Sequence, residues 1–596
     1  MLRRIIGNRG ASLRNSIRSM REHFTPAHKK KISGLCALIF ISAVLDVFGL
    51  ASILPVITAA TKPELIHSNA ALQSVFTALN FADERTFLLF LILVLLVFFI
   101  LKSAFGLFVS FLQIKISSDI AIHLSKNQFS KYFSLNYFDF QSLQTSVMTK
   151  DIVTDANTYV QWIVISIITL ISELMIVLLI IGGIALYNIK LFGFIVLTVG
   201  PATVFISRII RRKTSEIGVG IDTNFPKSMG AVMEALNGYI DIKLADKISF
   251  YRDKYLNYQY RFQWFMMKNY FMSQVPFRTN EIVALLGIIV IFVYALYFSG
   301  GEEVITLIGL FAAASYRLMP SVNRIVNSLN YLGVNQTSIY NLNNYLDNYH
   351  EELKKQTAQV PVGFENEIEF KKISFRFREA TRPVLNKISL KIKKGEKTGF
   401  VGSSGSGKTT LMNILLRFYE EDSGEILVDG VKLSYENIVS WRKKIGYVKQ
   451  DIFMLDGTIK ENIAFGENKV DDEKLLQSII QSSLSDFVNS LPEGVETRVG
   501  EKGSRLSGGQ KQRIGIARSL YRDADILVFD EATSALDMQT ENEVTEAIEK
   551  LSSTNKTIFI IAHRITTLKN CDKIIELKNG EIAGVHSYHE LIEKIF

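Results

Sequence analysis

Phe87 to Leu101 is an unbroken run of fifteen apolar residues. A helix of that length in water keeps a polar stripe on its solvent side, so a run without one needs apolar surroundings on every face. With its flanks it exceeds the roughly 20 residues that cross a bilayer. Five other stretches qualify, and the six predicted spans are 33–60, 86–114, 157–187, 189–210, 279–298 and 304–326. The composition agrees. Of 596 residues, 48% are hydrophobic and 21% charged, against about 25% charged in a soluble chain. Disorder, collagen-like repeats and a string of soluble domains are excluded. Cys36 and Cys571 lie in segments of very different character, so neither a structural disulfide nor a metal site is expected.

Charge orients the spans. Of the 67 Lys and Arg, 36 fall in 351–596 beside 38 acidic residues, and 31 fall in 1–350 beside 20. The apolar half is the basic half. That is the pattern of a membrane domain with Lys and Arg at its cytoplasmic ends, rather than of a protein that binds nucleic acid. Residues 1–31, with nine basic residues and one acid, belong in the cytoplasm with the long loops 115–156 and 211–278. The segments 61–85, 188–190 and 299–303 fall outside. The first 31 residues interleave Arg3, Arg4, Arg9, Arg14, Arg18 and Arg21 with Ile5, Ile6, Leu13, Ile17 and Met20. This fits a basic amphipathic helix on the membrane surface; an Arg- and Ser-rich, acid-poor start also resembles a mitochondrial transit peptide, the lesser expectation. Leu72, Val75, Phe76 and Leu79 recur at helical spacing between the first two spans, which predicts a short external amphipathic helix.

From residue 364 the texture changes. Strand-like alternation over 368–377 and 384–392, then Lys397 to Val401, leads into Gly402-Ser403-Ser404-Gly405-Ser406-Gly407-Lys408-Thr409-Thr410. This is a P-loop. Its glycines let backbone N–H groups fold around phosphate, Lys408 reaches the β- and γ-phosphates, and the Thr409 hydroxyl meets Mg2+. Ile526 to Phe529, four apolar residues, predict a central parallel strand buried on both faces. It ends in Asp530, suited to support Mg2+, and Glu531, suited to activate the attacking water. Between these lies Leu506-Ser507-Gly508-Gly509-Gln510, followed by a helical stretch.

With that last motif the chain is identified as resembling the ABC transporters, and six spans ahead of one ATPase resemble an exporter-type half-transporter. The resemblance implies a polytopic α-helical membrane domain followed by an α/β P-loop ATPase domain. The expected limits are 1–31 for the N-terminal segment, 32–330 for the membrane domain, 331–363 for a linker and 364–596 for the ATPase. It implies ATP and Mg2+ as cofactors. Gln450 is then the Q-loop residue, a Mg2+ ligand with Thr409 and Asp530; Glu531, His563 and Gln450 are catalytic, and Ser534 to Asp537 form the D-loop. Thr497 to Glu501 is similar to the family's X-loop. Phe377 stands where the family often stacks adenine on Tyr. Ser507, Gly508, Gly509 and Gln510 would contact nucleotide held by a second subunit, which implies a head-to-tail homodimer. Tyr137 to Asp139 and Asp222 to Lys227 become coupling helices that dock beside Gln450.

The substrate is less constrained. Asp46, Glu173, Arg278, Glu281, Arg317 and Arg324 are ionisable residues in or beside the spans, where charge is costly and usually faces a cavity. Arg317 and Arg324 are seven apart, hence on one helical face. Together they suit a phosphate or pyrophosphate headgroup; in a cytoplasmic extension of the sixth helix they would instead pack or snorkel. The stretch Tyr316 to Arg324, and Leu54 to Thr58, are similar to the PglK-like flippases of lipid-linked oligosaccharides. This resemblance implies ATP-driven movement of a polyprenyl-pyrophosphate glycan across the bacterial inner membrane, for protein glycosylation or glycan assembly. Membrane lipids and the lipid-linked glycan are then the partners. Export of lipids, drugs or peptides, and an ATP-gated channel or regulator on the same scaffold, are the competing expectations.

Overall fold

The computed structural model describes residues 12–61, 70–187, 189–298, 301–344, 360–378, 380–531, 538–550, 555–562 and 564–595. The chain divides into two compact units. One comprises 1–133 and 143–346, the other 134–142 and 347–596.

The first unit is helical throughout its described residues. Three stretches, Pro26–Gly49, Glu84–Phe133 and Thr145–Leu186, are long and apolar enough to cross a membrane. The other three expected spans lie within the helices Ile189–Asn237, Ile248–Phe298 and Gly301–Val334. Helices of 49 to 51 residues, at about 1.5 Å per residue, are more than twice as long as the hydrocarbon core is thick. Each therefore extends well beyond it. Leu89, Leu93, Leu96 and Ile100 of the fifteen-residue run are exposed, as lipid-facing side chains should be, whereas Phe87 is fully buried. The short helix expected between the first two spans forms at Ala70–Ala78. Its Phe76 meets Phe87 edge-on at 5.3 Å, and Phe81 packs on the same ring.

The N-terminal helix Ser12–His23 uses its faces unexpectedly. Ser16 and Ser19 are buried, while Leu13 and Ile17 point outward. Small side chains let the helix approach its neighbours closely, leaving an apolar and arginine-rich face outside.

The helix extensions are tied by a buried ionic cluster for which the sequence has no motif. Two π-helical stretches, Lys150–Asp155 and Val160–Val164, interrupt the helix leading into the third span. Lys150, on the first, bonds to Asp155 at 2.9 Å, lies 3.6 Å from Asp151 and also bonds to Asp222. Asn341 donates to Asp155 at 2.7 Å, and the Tyr132 hydroxyl donates to Asp151. This places Asp222 inside the continuous helix Ile189–Asn237, so 222–227 is not a loop tip. The chain instead turns after Asn237-Gly238 and forms the short helix Tyr239–Leu244. No helix breaker acts between 211 and 237, because Pro226 is accommodated within the helix. The Asn-Gly pair was the available turn signal.

The second unit has two sheets. One is antiparallel, in the order β2 (Leu385–Lys393), β1 (Glu367–Phe375), β4 (Ser423–Val428), β5 (Val431–Lys432). The other runs β10 (Glu581–His586), β9 (Lys573–Lys578), β3 (Lys397–Val401), β8 (Thr557–Ile561), β7 (Ile526–Asp530), β6 (Ile445–Val448). Its strands β9 to β6 are parallel and only the edge strand β10 is antiparallel. β3 and β7 flank β8, so the chain leaving β3 and the chain leaving β7 emerge at the same sheet edge, where ligands of open α/β sheets bind.

Candidate functional site

β3 delivers the chain into the glycine loop, and the helix Lys408–Leu415 carries it away. Gly402, Gly405 and Gly407 have φ of 148°, 80° and 104°. At two of them space is as restrictive as conformation. A Cβ on Gly402 would lie 2.2 Å from the Leu577 carbonyl oxygen, and one on Gly407 2.6 Å from Leu385. Lys408 is buried and its ammonium donates to the carbonyls of Gly402 at 2.8 Å and Ser403 at 3.1 Å. Burial lowers its pKa, while Glu531 and Asp530 act in the opposite sense. The lysine therefore already feels both carboxylates at the end of β7. Thr409 is exposed on the first helical turn, with Ser403 and Ser404 exposed before it and Thr410 half-buried after it. The buried Ser406 hydroxyl has no hydrogen-bond partner among the described residues.

Asp530 ends β7, and Glu531 follows with φ +52°, a left-handed conformation unusual for a glutamate. Its backbone N–H donates to Ile561 at 3.0 Å, which holds the turn. Such strain is sustained where the surrounding structure fixes it, commonly at functional sites. Burial raises the pKa of Asp530, and the Tyr447 hydroxyl counters this by donating to its Oδ2 at 2.8 Å.

Gln450, just after β6, presents an exposed side chain. Its backbone carbonyl is held by Gln512, which donates to it at 2.7 Å and to the Lys449 carbonyl at 3.2 Å. Gln512 lies on the helix Gly508–Tyr521, so the signature motif and the Q-loop are joined by one buried side chain. Sequence reasoning missed it, because nothing in the spacing distinguishes Gln512 from Gln510. Gln510 has another task. Ser507 and Gln510 form a reciprocal capping box, with Gln510 N–H donating to Ser507 Oγ at 3.2 Å and Ser507 N–H to Gln510 Oε1 at 2.9 Å. Ser507 and Gly508 remain exposed at the positive end of a 14-residue helix. Phe377 is half-buried, edge-on to Phe375 at 5.1 Å and to Tyr419 at 5.6 Å. His563 and the segment 534–537 lie outside the described residues.

The segment 134–142 is part of this unit. In its helix Tyr137–Ser142, Tyr137 packs on Phe418 and Tyr419, with ring centroids 5.1 and 5.8 Å apart. Arg378 donates to Asp139 at 3.1 Å and lies over the Phe138 ring, and Tyr419 donates to Gln141 at 3.2 Å.

In the helical unit, the ionisable residues of the spans occur as pairs. Lys102 bonds to Asp46 at 2.7 Å, Arg278 lies 3.4 Å from Glu281, and Arg324 Nε lies 2.6 Å from Glu173 Oε1. Glu173 is buried and its Oε2 has no hydrogen-bond partner among the described residues, whereas the Arg324 side chain is 49% exposed. Arg324 is thus anchored at one nitrogen with the rest of its fork open. The Arg317 side chain lies outside the described residues.

A helical membrane domain joined to a P-loop sheet whose carboxylates, glycine loop and signature helix belong to one unit defines the class: a membrane transporter driven by ATP. Residues 37–319 match the ABC transporter transmembrane region, and 385–534 match the ABC transporter ATPase family. The chain is 30% identical over 498 residues to an ATP-dependent lipid A-core flippase of Bordetella avium, covering 83% of each chain. It is 35% identical over 314 residues to the putative multidrug export ATP-binding/permease protein YgaD of Bacillus subtilis, covering 53% of this chain and 54% of that one. A solved bacterial Atm1-family ABC exporter with ATP bound has the same fold, with a TM-score of 0.74 over 96% of this chain and 97% of that one at 21% identity. The chain belongs to the ABC transporter family, as an exporter-type half-transporter that couples ATP hydrolysis to transport.

Proposed function

We propose that the protein is a homodimeric flippase of the bacterial inner membrane, moving a lipid-linked oligosaccharide on a polyprenyl pyrophosphate, for protein glycosylation or glycan assembly. The carrying observation is Arg324: a half-open guanidinium in the helical unit, held by the buried Glu173 of another span. Its free fork suits a phosphate oxygen pair. The relative named as a lipid A-core flippase supports a lipid cargo, and Arg317, one heptad earlier, supplies the second charge in this reading. Export of drugs or other lipids is the alternative favoured by the multidrug-export relative.

In the ATP site, the backbone of 402–410 and Lys408 hold the phosphates while Phe377 stacks on the base. Thr409 hydroxyl, Gln450 amide and Asp530 carboxylate form a hard-oxygen donor set suited to Mg2+, which would neutralise charge on the transferring phosphate. Glu531 takes the proton of the attacking water, and His563 completes the catalytic set. Ser507 to Gln510 act on nucleotide held by the second copy, using the exposed N-terminal end of their helix. The apolar helix Tyr239–Leu244 supports the dimer. Tyr239, Ile240 and Leu244 are 61 to 82% exposed, apolar surface available for burial against the second copy. The N-terminus and the ATPase face the cytoplasm.

The test is flipping of a fluorescent polyprenyl-pyrophosphate oligosaccharide in proteoliposomes. ATP-dependent movement that fails in Arg324→Gln supports this reading. Movement of generic lipids or drugs, with none of the glycan lipid, replaces it with the exporter.

A further inference from the structure

Tyr447 has no place in the roles assigned so far, yet it donates to Asp530 and packs against the core that also carries the seat of the 134–142 segment. It is the third residue of β6, and its partner across the parallel pair is Val528 of β7. Asp530 lies two residues further along β7, so its side chain emerges on the same face. The phenol runs along that face and donates its hydroxyl to Asp530 Oδ2 at 2.8 Å. The ring, half-buried, packs against the core that also carries Phe377, Phe418 and Tyr419. Phe418 and Tyr419 are the seat of Tyr137.

A buried carboxylate needs donors. Asp530 has the adjacent Glu531 carboxylate against it, with Lys449 and Lys408 in its favour. The phenol is pushed far above its ordinary pKa, first by burial and then by Asp530, with Tyr137 adding to the effect. The phenol meets Asp530 as a hydrogen-bond donor, and Tyr137 lies within its electrostatic reach.

We infer that Tyr447 is a positioning residue that ties the 134–142 segment to the metal carboxylate: its hydroxyl holds one oxygen of Asp530 and leaves the other for the Mg2+ shell, while its ring packs against the same core as Phe418 and Tyr419, the rings that seat Tyr137. The inference depends on the proposed role of Asp530 at Mg2+. It makes the seating of 134–142 a determinant of metal affinity, through a side chain three residues before Gln450.

The experiment uses the full-length protein carrying Glu531→Gln, so that bound ATP is not consumed. Mn2+ binding is titrated by electron paramagnetic resonance with ATP present, and binding of a fluorescent ATP analogue is measured separately in EDTA. Tyr447→Phe keeps the ring and removes one hydrogen bond. It should weaken Mn2+ binding about 10-fold or more and change metal-free nucleotide affinity less than about 2-fold, as expected for a single hydrogen bond to a charged group. A merely structural tyrosine would shift both affinities or neither. Tyr137→Leu should reproduce part of the Mn2+ effect and add little to Tyr447→Phe. Unchanged Mn2+ affinity in Tyr447→Phe overturns the inference, and so do fully additive effects of the two substitutions. If the parent itself binds no Mn2+ with ATP, the metal reading of Asp530 fails and the inference falls with it.

Discussion

The two units of this molecule carry their chemistry in different ways. In the ATPase, the glycine loop, Asp530 and Gln450 follow the ends of strands in one parallel sheet, and the glycine loop takes its shape from backbone conformation. In the membrane unit, the charged groups meet as side-chain pairs between separate helices: Lys102 with Asp46, Arg324 with Glu173, Lys150 with Asp222. Backbone recognition demands glycine at fixed positions and writes itself into spacing. Pairing between helices demands only opposite charges at matching heights, so it leaves no motif. Nucleotide chemistry is accordingly the readable half of the protein, and cargo recognition the half that needs a structure.

That contrast can be tested most severely at Glu531. Replacement by Gln keeps the phosphate cradle and removes the base, so turnover should fall about 100-fold or more while ATP binding persists. Steady-state hydrolysis measured beside nucleotide titration checks this, and undiminished turnover would reassign the base.

Lys150→Met probes the buried pairs. It leaves Asp151, Asp155 and Asp222 facing one another without their shared cation, at a cost of about 3–5 kcal/mol. A marked drop in thermal unfolding midpoint is expected, and a midpoint within about 1 °C of the parent would mean the cluster contributes little.

Arg324→Gln separates pairing from recognition. Alone it strands the Glu173 carboxylate, costing both stability and transport. Adding Glu173→Gln should restore the unfolding midpoint but not lipid translocation, because the fork that would meet phosphate is still missing. Recovery of both would make Arg324 a structural partner only.

Phe377→Ala carries the smallest effect. Loss of one aromatic face should weaken ATP binding about 5-fold, corresponding to about 1 kcal/mol, with hydrolysis at saturating ATP little changed. Nucleotide titration decides it.

Much of the fold was legible. The apolar run at 87–101, the strand 526–529 and the P-loop each follow from a local rule, because a bilayer, a doubly covered sheet and a phosphate cradle constrain consecutive residues. The second inside tip was misplaced: 222–227 has polar and basic residues like a loop, but tertiary pairing of Asp222 with Lys150 keeps it helical, and the turn falls at Asn237-Gly238. Gln512 and Tyr447 were invisible for a related reason. Each is an ordinary residue in its own element, and only the approach of another strand or loop gives it a partner. For Arg324 the sequence offered a cavity or a packing role. The structure adds Glu173, a partner 151 positions away that no periodicity relates to it.

The central claim, that hydrolysis at the P-loop unit drives a lipid-linked glycan through the helical unit, is tested most directly in proteoliposomes. Headgroup accessibility of a fluorescent polyprenyl-pyrophosphate oligosaccharide would be followed with ATP, alongside phosphate release. The account predicts ATP-dependent flipping and lipid-stimulated hydrolysis, both abolished by Glu531→Gln. Hydrolysis that proceeds with neither flipping nor stimulation by this lipid would contradict it.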